Sequence, residues 1–195
     1  MRVLVACEYS GRVRRAFAAR GHDVISCDLL PSEDNSPNHY QGDVFDLLRD
    51  QEFDLMIAHP PCTYLAVSGL HWNKRVPGRV EKTEEALQFV RKLMEAPVKQ
   101  IAVENPVSCI SSRIRKPDQI IQPWWFGDDA SKKTCLWLKN LPALVPTDKL
   151  PGDDRTRRAN QTASGQNRLG PSPDRWKERS RTFIGIANAM AAQWG

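Results

Sequence analysis

The 195-residue sequence predicts an α/β protein built on a doubly wound, mostly parallel sheet. Short apolar and β-branched runs alternate along the chain with stretches that have helical spacing, which is the order of βαβ units. Several of these runs end in an acid or in a proline-rich turn, as expected where parallel strands present ligand-binding residues at one edge of a sheet. Neither an internal repeat nor a second domain is evident, so we expect residues 1–195 to form one domain.

The N-terminal segment predicts one complete βαβ unit. Arg2–Cys7 reads as a strand, Arg12–Arg20 as an amphipathic helix and Val24–Cys27 as a second strand. The turn Glu8–Gly11 follows the first strand and Asp28 follows the second, where such units approach a ligand and bind ribose hydroxyls. The G-x-G-x-x-G pattern is absent. The unit therefore indicates where a nucleoside-containing cofactor would bind, without specifying which one.

The next segment predicts a loop, a short helix and a buried strand. Leu29–Gln41 is rich in turn-forming residues. Asp43 precedes a short helix that runs through Leu48, and capping that helix could be its whole role. Leu55–Ala58 has four apolar residues together, which favours a strand buried on both faces.

The chain is organised around the motif that ends this strand, His59-Pro60-Pro61-Cys62. Each proline lacks an N–H and keeps the preceding residue out of the helical region, so the backbone leaves the strand in a fixed extended turn. Cys62 is thereby presented just past the carboxyl end of a strand. A lone cysteine is more often a small buried hydrophobic residue, so its interpretation depends on its neighbours.

A second strand end repeats this arrangement. Ser68–Arg79 predicts a mobile loop with aromatic and basic residues, and Glu81–Glu95 predicts an amphipathic helix. The strand Val98–Val103 then runs into Glu104-Asn105 and a proline. An acid held at a strand end before a proline resembles the setting of Cys62, so we expect the two strand ends to meet in one cleft.

The C-terminal third predicts one more strand, a basic segment and a closing helix. Thr134–Leu138 is a buried-type strand that follows Lys132 and Lys133, and Phe183–Trp194 has helical spacing. Residues 150–182 hold eight basic and four acidic side chains, so they carry +4 of the net charge of +5. They are also rich in Gly, Pro, Ser, Asn and Gln, which predicts a loop. Such a basic segment suggests a polyanion partner, although a solvated loop that happens to be basic is the alternative.

Composition excludes several classes of protein. Hydrophobic residues make up 41% of the chain and charged residues 26%, as in ordinary globular proteins. No apolar run approaches the roughly 18 residues of a membrane span, and the N-terminus turns polar too early for a signal peptide. The five cysteines contain no C-x-x-C pair and the four histidines show no ligand spacing. We expect reduced thiols in a cytoplasmic protein, with no metal site.

Taken together, the motifs resemble those of DNA cytosine-5 methyltransferases, in particular short phage- or prophage-type members. Pro60-Pro61-Cys62 is similar to the catalytic loop of that family, and Glu104-Asn105 to the pair that holds the target base. The resemblance implies a Rossmann-like, S-adenosylmethionine-dependent methyltransferase fold and a cytosine flipped out of DNA. Cys62 would attack C6, Glu104 would protonate N3 and C5 would accept the methyl group. Lys133, or Lys132 beside it, would hold O2 in place of the family's arginines.

The resemblance also implies a set of binding residues. S-adenosylmethionine would contact the first turn, two acids, the catalytic loop and the last helix, through Glu8, Tyr9, Ser10, Gly11, Asp28, Asp43, Pro60 and Asn188. DNA would contact the catalytic edge and the basic segment, through Pro61, Asn105, Lys132, Arg155, Arg157 and Arg158.

The sequence departs from that family in several places. His59 stands where glycine is usual, Thr63 where glutamine is usual and Pro106 where valine is usual. A separate target-recognition domain is missing, and only the basic segment occupies its place. We therefore expect a short or relaxed target, completed by a second protomer or a partner.

Three other functions stay open. A related C5-modifying enzyme would use an altered sulfonium donor, or act on RNA or a nucleotide. Amino-methyltransferases carry an aromatic residue where this chain has Cys62. A relative that binds nucleic acid without catalysis is the third.

Overall fold

The computed structural model describes all 195 residues. Its seven strands are β1 (Arg2–Ala6), β2 (Asp23–Asp28), β3 (His39–Gln41), β4 (Leu55–Ala58), β5 (Gln100–Pro106), β6 (Gln119–Ile121) and β7 (Thr134–Lys139). Its six α-helices are α1 (Arg12–Ala18), α2 (Val44–Asp50), α3 (Arg79–Met94), α4 (Ile110–Arg113), α5 (Arg175–Ser180) and α6 (Ile184–Trp194). Two 3-10 helices cover Val67–Lys74 and Pro123–Trp125.

The strands form one sheet in the order β3-β2-β1-β4-β5-β7-β6. Strands β1 to β5 pair in parallel, whereas β7 runs antiparallel to both β5 and β6. This sheet confirms the predicted α/β class. The chain moves outward from β1 to β3 and then returns to place β4 on the other side of β1. The crevice outside the carboxyl ends of β1 and β4 is therefore the topological switch point, where open sheets of this kind bind ligands.

Alternating side chains of the central strands feed two cores, one on each face of the sheet. Val3 and Val5 face a core that includes α1 and α6, whereas Leu4 and Ala6 face a core that includes α2, α3 and α4. The period of two along a strand produces this division, and both faces are apolar because helices cover both. The strands are thus held rigidly between two layers of helices, which fixes where their carboxyl ends lie.

Four segments differ from the sequence-based expectation. The predicted loop Leu29–Gln41 contains β3, a three-residue edge strand that pairs only with β2 and has no apolar alternation to announce it. Strand β5 continues through Pro106, because Glu104–Pro106 pair with the start of β7. The basic segment is not a plain loop, since it contains α5. The predicted loop Ser68–Arg79 is largely a 3-10 helix.

None of the helices is both long enough and apolar enough to cross a membrane. All five cysteines are free thiols, and Cys62 is the exposed one. Nowhere do three or more His, Cys, Asp or Glu side chains group as metal ligands.

Gly185 lies where α6 meets the turn that ends at Phe126, and a Cβ there would overlap the Phe126 carbonyl oxygen. We expect Gly185→Ala to lower the free energy of unfolding by about 2 kcal/mol or more, because helix or turn must shift. Gly170 is the matched control, since a Cβ there meets nothing within 4 Å. Gly170→Ala should change stability by less than ~0.5 kcal/mol in urea denaturation. Equal effects of the two changes would contradict this packing.

Candidate active site

The carboxyl edge of the sheet collects most of the predicted site residues. It carries the turn after β1, Asp28 at the end of β2, the loop after β4 and Glu104 near the end of β5. Because β7 runs in the opposite direction, the residues before its first strand position, Lys132 and Lys133, lie at the same edge. The two strand ends that the sequence predicts to meet are therefore brought together.

Two side-chain hydrogen bonds join the ends of β4 and β5. The Asn105 amide Nδ2 donates to the Pro60 carbonyl oxygen at 2.8 Å. Nδ1 of His59 lies 2.9 Å from Oε2 of Glu104, and both of these side chains are largely buried. An ionised carboxylate can only accept, so Nδ1 is the donor of this bond. The loop after β4 is thereby fixed against the acid of the neighbouring strand.

Cys62 lies on an exposed turn at this edge. The backbone N–H groups of Leu65 and Ala66 donate to its carbonyl oxygen at 3.0 and 2.9 Å, which closes the turn. The surrounding protein reduces hydration of the sulfur, and this desolvation raises the pKa of the Cys62 thiol above its ordinary value. The Lys132 ammonium opposes that rise in the pKa, the Glu104 carboxylate adds to it, and Arg179 opposes it more weakly.

Glu104 is buried, and burial by itself favours its neutral form. The His59 hydrogen bond and the positive charge of Lys132 outweigh this burial, so the pKa of Glu104 lies below its ordinary value. Glu104 is therefore a carboxylate at neutral pH in the free protein. A nucleobase held here would meet the Glu104 carboxylate, which must take up a proton before it can donate one.

The two candidate lysines occupy different environments. The charge of Lys132 acts on both Cys62 and Glu104, and its Nζ donates to the Arg179 carbonyl oxygen at 3.1 Å. Lys133 instead pairs with Asp154 at 3.7 Å. The charge of Lys132 therefore acts on Cys62 and Glu104, whereas the role of Lys133 stays a prediction.

The turn after β1 is occupied by its own acid. Glu8 is buried, and its carboxylate accepts hydrogen bonds from the backbone N–H groups of Val13 (2.7 Å) and Arg14 (3.2 Å) and from Ser10 Oγ (3.3 Å). Gly11 has a φ of +66°, the left-handed conformation that favours glycine. The N-terminus of α1 therefore already holds a negative charge.

Cys7 has a φ of +59° at the end of β1. Non-glycine residues in this region store strain, and such residues cluster at ligand sites. Its position at the switch point agrees with that tendency.

The other residues predicted to bind the cofactor lie in different environments. Asp28 is partly buried, which raises the pKa of its carboxyl group, and its Oδ1 accepts from Leu30 N at 3.0 Å. Asp43 caps α2 by accepting from Phe45 N at 2.9 Å. Asn188 is exposed on α6 and hydrogen-bonds to no other predicted site residue. In the loop after β4, Pro60 is buried, whereas Pro61 is exposed.

Helix α5 lies over the turn after β1. The Tyr9 hydroxyl donates to the Lys177 carbonyl oxygen at 3.0 Å, and its ring packs against Trp176 with centroids 6.1 Å apart. Arg12 donates to the Thr182 carbonyl oxygen at 2.9 Å. The end of the basic segment is thus part of the folded edge, and sequence composition gave no signal for these contacts.

The three arginines predicted to contact DNA are not equivalent. Arg155 and Arg157 are exposed. Arg158 is only 6% exposed, stacks on Trp124 at 4.7 Å and donates to the Pro151 carbonyl oxygen at 3.0 Å. Arg158 therefore packs against Trp124, and its contact with the phosphate backbone stays a prediction.

Sequence comparison alone identifies no relative: no family model matches the chain, and no curated protein matches it either. Among solved structures, the chain resembles a crystal structure from E. coli described as a candidate DNA modification methyltransferase encoded within a prophage. The TM-score is 0.50 and the identity 16%, over 77% of this chain and 52% of that one. This chain spans about half the length of that structure, and the similarity establishes a shared fold.

Lys132→Met should raise the pKa of the Cys62 thiol, because the nearby positive charge that favours the thiolate is removed. We expect alkylation of Cys62 by iodoacetamide at pH 8 to slow several-fold, measured by mass spectrometry of the Cys62 peptide. Lys133→Met is the matched control and should leave the rate unchanged. Equal slowing in both variants would contradict the assignment of Lys132 to the site.

Proposed function

We propose that this protein transfers a methyl group from S-adenosylmethionine to C5 of cytosine in DNA. The observation that carries the proposal is the junction of β4 and β5, where a Pro-Pro-Cys turn is held against a buried glutamate and asparagine. The cysteine is a nucleophile at a strand end, and the buried acid beside it can exchange a proton with the base. An amino-methyltransferase is less well supported, because an exposed thiol occupies the position of its base-stacking aromatic residue.

The charges around the first turn fit a cationic cofactor. A dinucleotide would place its pyrophosphate at the N-terminus of α1, but Glu8 already fills that position. Glu8, Asp28 and Asp43 make this part of the edge acidic, which suits the ammonium and sulfonium groups of S-adenosylmethionine. Asp28 would bind the ribose hydroxyls through the oxygen that Leu30 leaves free. When bound, the cofactor supplies an electrophilic methyl group.

Cys62 would begin the reaction on the base. Its thiolate adds to C6, the C5=C6 π electrons move to form a C4=C5 bond, and the former C4=N3 π pair takes a proton at N3. Lys132 favours the thiolate that this step requires. After C5 gains its methyl group, a base removes the C5 proton, the C5=C6 bond re-forms and Cys62 leaves as a thiolate.

Glu104 would supply the proton at N3 and recover it when Cys62 leaves. Its side chain is 10% exposed, so a bound base would exclude the remaining water and strengthen every charge interaction in the site. Asn105 would act mainly by holding the catalytic loop through Pro60. Lys132 would lie on the side of the base where O2 is held.

The target base has to leave the duplex to reach Cys62, at a cost of a few kcal/mol. Two exposed aromatic side chains with adjacent cations lie on segments that border this edge, one on the 3-10 helix after the Cys62 turn and one on α5. Trp72 is 45% exposed beneath the Arg75 guanidinium, and Trp176 is 51% exposed beside Lys177. Both are suited to stacking on bases while the cations contact phosphates.

The proposal predicts covalent capture through Cys62. With S-adenosylmethionine, a 5-fluorocytosine oligonucleotide should give a denaturation-resistant adduct, because fluorine at C5 blocks the release of the cysteine. Cys62→Ala should form no adduct and produce no 5-methylcytosine, yet bind the cofactor within a few-fold of wild type in calorimetry. Asp28→Ala is the reciprocal variant and should weaken cofactor binding instead. Adduct formation by Cys62→Ala would refute the proposed role of this thiol.

Nucleic-acid binding should depend on the exposed arginines of the basic segment. Replacing Arg155 and Arg157 together by glutamine should lower affinity and reduce the slope of log K against log salt by roughly 0.7–0.9 for each phosphate contact removed. Sequence preference should change little. Arg20→Gln with Lys99→Gln is the matched control, since it removes the same charge at the opposite edge of the sheet. Equal losses in both double variants would indicate a general charge effect only.

A further inference from the structure

His59 has no role in the steps described so far, although it contacts their acid. Its side chain is 8% exposed, and its Nδ1 holds Oε2 of Glu104 at 2.9 Å. Its other ring nitrogen, Nε2, is buried without a hydrogen-bond partner. One ring nitrogen of His59 therefore forms a hydrogen bond with Glu104, and the other has no hydrogen-bond partner.

Packing alone does not explain a histidine at this position. The preceding residues of β4, including Met56, Ile57 and Ala58, are fully buried and apolar. A buried nitrogen without a partner is unfavourable, and a buried ionised pair is often no more stable than apolar side chains of similar size. The polar contact with Glu104 is thus the feature that distinguishes His59 from an apolar residue.

We propose that His59 is a positioning residue for Glu104, which holds one carboxylate oxygen so that the other faces the base and which sets the pH range for proton donation. The inference rests on the proposed function, because it concerns the same proton at N3. Oε1 of Glu104 has no hydrogen-bond partner in the chain. The proton would pass between Oε1 and N3, while Oε2 stays hydrogen-bonded to His59 in both directions of the transfer.

Other ionisable groups around His59 and Glu104 shift the pKa values of this part of the site. From the start of β7, Lys132 lowers the pKa of Glu104, and Glu104 in turn raises the pKa of Cys135. In the loop after β4, desolvation raises the pKa of the Cys62 thiol, Lys132 opposes this rise, Glu104 adds to it and Arg179 of α5 opposes it. Without His59, only Lys132 would oppose burial, so the pKa of Glu104 would rise.

Three substitutions at His59 separate positioning from packing. His59→Asn places an amide N–H near the position of Nδ1 and should keep the hydrogen bond. His59→Gln places its amide near the position of Nε2, and His59→Leu has no donor, so both should lose it. His22→Asn is the matched control, because His22 precedes β2 at the opposite edge and packs against Phe17.

Two measurements report the protonation of Glu104 in these variants. The first is the pH titration of the Glu104 carboxyl carbon by 13C NMR, with the signal assigned by Glu104→Gln. The second is the pH dependence of kcat/KM for methylation of a cytosine-containing DNA. The limb at lower pH reports Glu104, because the pKa of Glu104 is lowered and that of Cys62 is raised.

In His59→Leu and His59→Gln we expect the Glu104 midpoint to rise by about one pH unit or more, with the limb at lower pH moving alongside it. The higher pKa leaves more of Glu104 protonated, but activity at the optimum should still fall at least roughly tenfold, because Oε1 is no longer held toward N3. His59→Asn should keep the wild-type midpoint, limb and most of the activity, and His22→Asn should match wild type.

An unchanged midpoint in His59→Gln would overturn the proposal. So would a shifted midpoint with kcat/KM reduced by one constant factor at every pH, since that result describes a purely structural residue. If wild type methylates no nucleic acid, the proposed function fails, and the NMR titration still decides whether His59 controls Glu104. If His59→Leu does not fold, the comparison of His59→Asn with His59→Gln decides alone.

Discussion

The geometry of the candidate site depends on how the ends of β4 and β5 are joined. Pro60 and Pro61 have no backbone N–H groups, so these two positions of the loop after β4 can be anchored only through their carbonyl oxygens. The Asn105 amide donates to the Pro60 carbonyl oxygen, and the Glu104 carboxylate accepts from the His59 ring. Each anchor comes from β5, and β5 is itself held in register by β4 and β7. The position of Cys62 relative to the acid is therefore a property of the sheet rather than of a flexible loop.

The same edge of the sheet presents opposite charges to the two sides of the switch point. Acids follow β1 and β2, whereas the basic groups Lys132 and Arg179 approach Cys62 from the other side. A cationic cofactor and an anionic nucleic acid would each meet the complementary field. The acids after β1 and β2 disfavour phosphates on that side, and Glu8 does so at the position where a helix N-terminus would otherwise bind them.

Helix α5 connects these two sides. It contacts Tyr9 at the acidic side, and its Arg179 carbonyl oxygen accepts from Lys132 at the basic side. The Arg181 side chain pairs with Glu33 at 2.6 Å and also with Glu178. Part of the positive charge in residues 150–182 is thus neutralised to fix the segment in place. The rest, including Arg157, faces solvent.

The sequence by itself determined the α/β class, the order of most strands and helices, and the positions of the motifs at the strand ends. These are local properties: apolar runs, helical spacing and the restrictions of proline act over a few residues. Only the tertiary structure decided that the charge of Lys132 acts on Cys62, because Lys133 pairs with Asp154 of the basic segment. Likewise, Arg158 is buried because Trp124, distant in sequence, lies beneath it. His59 and Glu104 are 45 residues apart, so their contact exists only because β4 and β5 are neighbours in the folded sheet.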